Sequence, residues 1–288
     1  MKKFLLLVSL LLIQHLVVSQ SAFRPLATDS VTYFIRTFNG KEFIGKIIEE
    51  TDSSFTVRIF NNGGESFVLI PKKEAKETKI VQPGDLVNGQ YWGTIPNISY
   101  TFSPSGYPLR KGQWYFQNIW IIYNQLNYGV TNHLQLGVGG LIPNGMLWAN
   151  ARITLPIIPN RLSIGGAINY SLVSNASFVI YEPKYLIAYG FATVGSPHAN
   201  FSVGYGRVYN KDNNSLSLYV VSGAIRASKS VLMITENYID ERVNEQTHLV
   251  GIRTGRKTLT LTVGVSFTKV YSFRVLPWVG FGVRFGKK

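Results

Sequence analysis

The chain has 288 residues, a formal net charge of +14, 45% hydrophobic and 13% aromatic residues, only 15% charged residues, 27 glycines and no cysteine. The lack of cysteine excludes disulfides, thiolate metal sites and a lipidated N-terminal cysteine. Many aromatics and glycines with little charge point to numerous strands and few charged surfaces.

The chain begins MKKFLLLVSLLLIQHLVVSQ. Lys2 and Lys3 precede an apolar run from Phe4 to Ile13, and Val17 and Ser19 hold the −3 and −1 positions of a cut before Gln20. This is the layout of a secretory signal peptide, residues 1–19. Gln14 and His15 interrupt the run, which is shorter than the roughly 18–20 apolar residues of a helical span. No second long apolar run follows, so no helical span is expected.

Charge divides what remains. From Gln20 to Pro96, 9 Lys and Arg face 9 Asp and Glu; from Asn97 to Lys288, 18 face 6. The neutral front part, residues 20–80, reads as a small β module. VTYFIRTF and KEFIGKII flank Asn39-Gly40, a strong hairpin signal. SSFTVRIF and ESFVLIP flank the turn Asn61-Asn62-Gly63-Gly64, and KKEAKETKI suits a short helical turn or a last strand. Four or five such strands fit an SH3-like or Sm-like barrel. Its neutrality gives no electrostatic pull on nucleic acid. A periplasmic spacer or a contact surface for a periplasmic protein is expected instead. Residues 81–96, with Pro83, Gly84, Gly89, Gly93 and Pro96, read as a linker.

From Asn97 onward, strands are predicted near 98–104, 113–127, 132–142, 146–156, 161–173, 178–195, 199–209, 215–226, 229–237, 246–255, 257–268 and 272–285. TLTLTVGVSF, residues 258–267, shows the pattern: Leu259, Leu261, Val263, Val265 and Phe267 share one face, and Thr258, Thr260, Thr262, Gly264 and Ser266 the other. Water-facing sides of soluble sheets usually carry Lys and Glu. Here the polar faces carry Thr, Ser, Gly, Ala and Asn, as a lumen would. Arg152 and Arg253 fall on that side. A lipid-facing Arg at mid-membrane costs about 2–4 kcal/mol, so the apolar faces are expected to point outward. The predicted fold is all-β: a roughly 12-stranded antiparallel transmembrane β-barrel, residues 97–288, preceded by the SH3/Sm-like module.

An even strand number puts both barrel ends on one side, the periplasm in bacterial outer membranes. The turns at 159–161, 227–229 and 255–257 are then periplasmic. Those at 104–111, 143–145, 209–215 and 238–245 are extracellular, and none is long. The ending WVGFGVRF, with Gly280, Val283 and Phe285, is similar to the assembly signal of outer-membrane barrels, although Trp278 replaces the usual polar residue and three residues follow Phe285.

Residues 98–140 carry Ser103-Pro104, then Pro108-Leu109-Arg110-Lys111-Gly112, then Tyr115-Phe116-Gln117-Asn118. This stretch resembles a recurring segment of an uncharacterised family of Gram-negative outer-membrane β-barrels. The front module resembles the short β module that often precedes them. The resemblance implies fold and location, and no activity.

No catalytic constellation is recognised. His133 and His198 fall in turns, and His248 begins a strand beside Thr247 without a lipase-type motif. Glu182, Glu236, Asp240, Glu241 and Glu245 lie toward the outer rims, where ordinary solvated charge outweighs a cation site. No cofactor is expected. The candidate lumen residues are Asn118, Asn124, Asn150, Arg152, Lys184, Arg253 and Arg284. They suit either a narrow pore that attracts small anionic solutes or an internally hydrogen-bonded plug. The functional expectations are a narrow channel, or a closed barrel that anchors the front module to a periplasmic partner, with a lipid-modifying enzyme less favoured. Outer-membrane lipid and lipopolysaccharide would surround the barrel. Oligomeric state stays open.

Overall fold

The computed structural model describes residues 31–61, 64–81, 85–87, 89–93, 95, 98–141, 145–174, 185–209, 215–240, 246–255, 258–270 and 272–286. The expected signal peptide and Lys184 lie outside them. Contacts divide the chain between Gly93 and Thr94, close to the expected end of the linker.

The front unit holds β1 (Tyr33–Thr37), β2 (Glu42–Glu50), β3 (Ser54–Asn61), β4 (Gly64–Pro71), a 3-10 turn (Lys72–Glu74) and β5 (Ala75–Ile80). KKEAKETKI thus supplies both the turn and the last strand. The five strands form one antiparallel sheet in the order β4-β3-β2-β1-β5. β4 and β5 have no mutual ladder, so the sheet is open rather than a closed small barrel. Asn39 shapes the first hairpin: its Oδ1 accepts from Thr37 Oγ1 at 2.5 Å and from the Lys41 N–H at 3.2 Å, while Gly40 takes a φ of 85°. Ile35, Val57 and Ile70 form the core. Part of the expected linker is packed structure. A two-rung hairpin, β6 (Leu86–Val87) with β7 (Gln90–Tyr91), lays the Tyr91 ring on Phe34 at 4.1 Å.

The second unit is a closed antiparallel barrel of twelve strands. They are β8 (Gln113–Ile119), β9 (Tyr123–Gly129), β10 (Leu134–Leu141), β11 (Met146–Ile158), β12 (Leu162–Ser174), β13 (Leu186–Ser196), β14 (Ala199–Tyr209), β15 (Ser215–Ser228), β16 (Val231–Asp240), β17 (Gln246–Gly255), β18 (Leu259–Val270) and β19 (Ser272–Gly286). β19 closes on β8 from Gly280↔Ile119 to Gly286↔Gln113. The rim where β8 starts and β19 ends is called the terminal rim below; the other is the distal rim.

Alternation sets the two faces. Leu259 and Val263 are 58% and 47% exposed, whereas Thr260 and Thr262 between them are 1% and 5% exposed. The same split runs around the cylinder: Val203, Ile252 and Phe281 point out, and Ser202, Arg253 and Thr193 are buried inside. An apolar exterior over an interior that holds the buried polar and charged side chains together with an apolar cluster is the arrangement that hydrocarbon selects. Aromatic rings gather on the outer surface toward both rims. Trp114, Tyr128 and Phe285 do so at the terminal rim, and Tyr205, Tyr209 and Tyr219 toward the distal one.

The twelve-strand count agrees with expectation, but two strands lie elsewhere than the sequence suggests. Residues 98–104 are not a strand of the wall, and residues 113–127 are two strands joined by a turn at 120–122. That turn has no glycine. Trp120 and Ile121 adopt φ of 54° and 66°, the left-handed pair that a tight hairpin needs and bulky side chains rarely provide. Asn118 and Asn124 hold it. Asn118 Nδ2 donates to Asn124 Oδ1 at 2.8 Å, the Ile121 N–H donates to Asn118 Oδ1 at 3.2 Å, and Trp120 Nε1 donates to the Pro277 carbonyl at 2.7 Å.

Candidate functional site

The segment Ile98–Arg110 runs inside the barrel. It was expected to begin the wall and then form an extracellular loop; instead it fills the lumen ahead of β8. Two short bonds fold it back on itself: the Tyr100 N–H donates to the Ser103 carbonyl at 2.9 Å, and the Ser105 N–H to the Ile98 carbonyl at 3.1 Å. Tyr100 is fully buried among Ile119, Leu232, Ile234, Leu249 and Trp278, all projecting inward from the wall. Its hydroxyl lies 2.6 Å from Asn200 Oδ1 and 2.8 Å from Ser202 Oγ. Gly106 passes so close to the wall that a Cβ there would sit 2.7 Å from the Thr193 Cβ. The fit at that point requires a glycine.

Wall side chains grip the backbone of this segment. Glu236, on β16 and 1% exposed, receives three successive N–H groups. Thr101 reaches Oε2 at 2.7 Å, Phe102 reaches it at 3.1 Å, and Ser103 reaches Oε1 at 2.5 Å. Consecutive backbone donors around one anion make a nest. The Tyr238 hydroxyl adds a further bond to the same carboxylate. Arg152, on β11, donates to the Ile98 carbonyl at 2.8 Å, to the Ser105 carbonyl, and to Thr154 Oγ1 at 3.1 Å. Arg253, on β17, donates to the Ser99 carbonyl at 2.8 Å, to the Tyr100 carbonyl, and to Thr262 Oγ1 at 3.1 Å. Gln117 Nε2 donates to the Thr101 carbonyl at 2.7 Å. Ser103 Oγ touches Ser222 Oγ at 2.9 Å, and the Tyr107 hydroxyl donates to the Gly195 carbonyl at 2.9 Å. Charge-assisted bonds of this kind, away from water, are among the stronger polar contacts a protein makes.

The expected lumen residues therefore part company. Arg152 and Arg253 are inside and bonded to the segment. Asn150 is inside and buried, on a wall above it. Arg284 is half-buried near the terminal rim, paired in register with Tyr115. Asn118 and Asn124 do not line the lumen: their neighbours Gln117 and Gln125 do, and the two asparagines serve the hairpin turn. The residue that sequence reasoning missed is Glu236, read as rim charge and found as the anchor of the interior segment. Its signal was its register: it continues the inward row Leu232, Ile234, where a carboxylate needs buried donors.

His248 shows no catalytic company. Its Nδ1 lies 2.8 Å from Asn237 Oδ1, and among the described residues no serine hydroxyl joins the pair. His198 Nδ1 lies 3.1 Å from Arg226 Nη1 near the terminal rim, and His133 Nδ1 lies 3.2 Å from the Thr154 carbonyl. Among the described residues no group of His, Asp and Glu could hold a metal ion.

A closed antiparallel barrel with an apolar outside and a filled interior defines the class: an outer-membrane-type β-barrel, here with a small β sheet before it. Among solved structures, the chain is similar to the KdgM porin, with a TM-score of 0.46 and 11% identity over 62% of this chain and 99% of that one. The KdgM porin in complex with disordered oligogalacturonate gives the same values. OmpTdeltaL8, a loop-deletion mutant of an outer membrane protein of Vibrio cholerae, matches with a TM-score of 0.36 and 11% identity over 89% of this chain and 97% of that one. These likenesses concern fold alone. No protein-family model and no curated protein matches the sequence.

Proposed function

We propose that this chain is an outer-membrane barrel sealed by its own residues 98–110, and that the sealed barrel anchors the front module in the periplasm. The observation that carries the reading is the triple grip of Arg152, Arg253 and Glu236 on the backbone of the interior segment. Lipid and lipopolysaccharide would meet the outer face. The module's β4 edge, where Phe67 and Leu69 are 61% and 66% exposed, is the surface we assign to a periplasmic protein partner. The channel reading takes one form only: solutes pass when the segment leaves. While the segment is in place, N–H groups of Arg152 and Arg253 serve its carbonyls, so an anion meets their charge without those donors.

The chain has no cysteine, so introduced thiols report cleanly. In Ser103→Cys/Ser222→Cys, mild oxidation of intact outer membranes is expected to join segment and wall, and unmodified protein in planar bilayers is expected to stay silent. Absence of the cross-link, or stepwise conductance of the unmodified protein, would remove the sealed reading. For sidedness, Lys41→Cys on the module should react with a membrane-impermeant maleimide only after the outer membrane is permeabilised. Labelling of intact cells would place the module outside.

A further inference from the structure

Above the interior segment the lumen opens into a cup of about 370 Å³. This falls in the range typical of small-molecule sites, about 300–1,000 Å³. Phe102 and Ser103 contribute to its floor, and its wall is built in level rows. In one row, register places Asn127 beside Gly137, Gly137 beside Asn150, and Asn150 beside Asn169, across β9 to β12. Gly137 leaves the room these amides need: a Cβ there would stand 2.3 Å from Asn127 Oδ1 and 2.7 Å from Asn150 Nδ2. In the next row toward the distal rim, Gly139 lets the Trp148 indole lie flat on the wall, since a Cβ would meet the ring at 2.4 Å. Tyr123 packs beside that indole at 5.2 Å, and Phe102 meets Tyr123 edge-on at 5.2 Å.

Two observations make this a site rather than a gap in packing. Asn150 is only 9% exposed, and its Nδ2 has no hydrogen-bond partner. A buried amide left without a partner costs about 1–3 kcal/mol, which a ligand acceptor would recover. The lining is also nearly free of charge. Arg152 is its one charged residue among those described, and each of its three nitrogens already donates to the protein. A cationic ligand would be buried there beside a like charge and without a counter-ion, which is costly. Amides that both donate and accept, set under flat aromatic rings, suit a ligand with hydroxyl edges and an apolar face.

The geometry points to a binding site for a neutral sugar ring in the distal cup, with Asn150 and Asn169 bonding its hydroxyls and Trp148 and Tyr123 stacking on its C–H face. The floor of this site is the interior segment, a premise shared with the sealed reading. The oxidative cross-link in Ser103→Cys/Ser222→Cys reports on that floor separately.

The test is calorimetry on full-length protein in a polyoxyethylene detergent, which carries no sugar, with glucose and glucosamine as probes. Glucose is expected to bind with a Kd of about 1 mM or tighter, and glucosamine at least about tenfold more weakly, since its ammonium group meets the like charge of Arg152 and no counter-ion. Asn150→Leu with Asn169→Leu should weaken glucose about tenfold or more while the unboiled band keeps its fast gel mobility. Should that double variant lose the fast band, Asn169→Leu alone, at a half-buried position, carries the same expectation. No heat with glucose, equal affinity in the folded variant, or glucosamine binding as tightly as glucose would each overturn the proposal.

Discussion

Glu236→Leu is expected to turn a silent barrel into a conducting one. The substitution strips the acceptor from three N–H groups, those of Thr101, Phe102 and Ser103, and from the Tyr238 hydroxyl. Each buried donor left unsatisfied costs about 1–3 kcal/mol, unless the segment moves to water. Removing one partner of a buried charge network typically costs about 3–5 kcal/mol. Every 1.4 kcal/mol is about a tenfold change in population, so the released state rises by roughly a hundredfold or more. The wall itself should survive, because the inter-strand ladders of β15, β16 and β17 do not involve this carboxyl. Planar-bilayer recordings should show steps in the variant and none in the parent, and oxidation of Ser103→Cys/Ser222→Cys in the Glu236→Leu background should lose most of its yield. Glu236→Gln keeps one oxygen for the nest and should fall between the two. A silent Glu236→Leu protein that still cross-links fully would show that the carboxylate does not hold the segment.

Val263→Arg should destabilise the barrel in phospholipid vesicles by about 2–4 kcal/mol, the cost of a lipid-facing arginine near the bilayer centre. Val263 sits within β18 and points outward, paired with Val279 and Ile252 on its two sides. Were that face in water, the exchange would shift stability by less than about 0.5 kcal/mol. Urea-driven unfolding from vesicles, followed by loss of the fast gel band, measures the difference. Equal stability of Val263→Arg and its parent would refute hydrocarbon as the solvent of this surface.

The wall was legible because its chemistry repeats: Leu259, Leu261 and Val263 against Thr260 and Thr262 declare a two-faced strand, and small polar residues on the inner face declare a lumen. The interior segment was not legible because it wears the same pattern. Ile98, Tyr100 and Phe102 alternate with Ser99, Thr101 and Ser103 as a wall strand would. The resemblance rests on the same stretch, with its Ser103-Pro104 turn and Pro108-Leu109-Arg110-Lys111-Gly112 run, and it marks this stretch without revealing its place. The hairpin at 120–122 hides for the opposite reason: Trp120 and Ile121 are poor turn formers, and the asparagines that stabilise them look like lumen groups. One strand too many and one too few then cancel, so the total agrees. Glu236 reads together with Asp240 and Glu241 as surface charge, since proximity in sequence says nothing about which side of a strand a carboxylate takes.

The lock reads main chain more than side chain. Arg152 and Arg253 hold carbonyl oxygens, Glu236 holds amides, and Gln117 holds one more carbonyl. Mutational tolerance should therefore be lopsided. Outside its own anchors, Tyr100, Ser103, Gly106, Tyr107 and Leu109, the enclosed stretch is freer to drift than the keyhole around it. A deep scan would find the cork more permissive than the bottleneck.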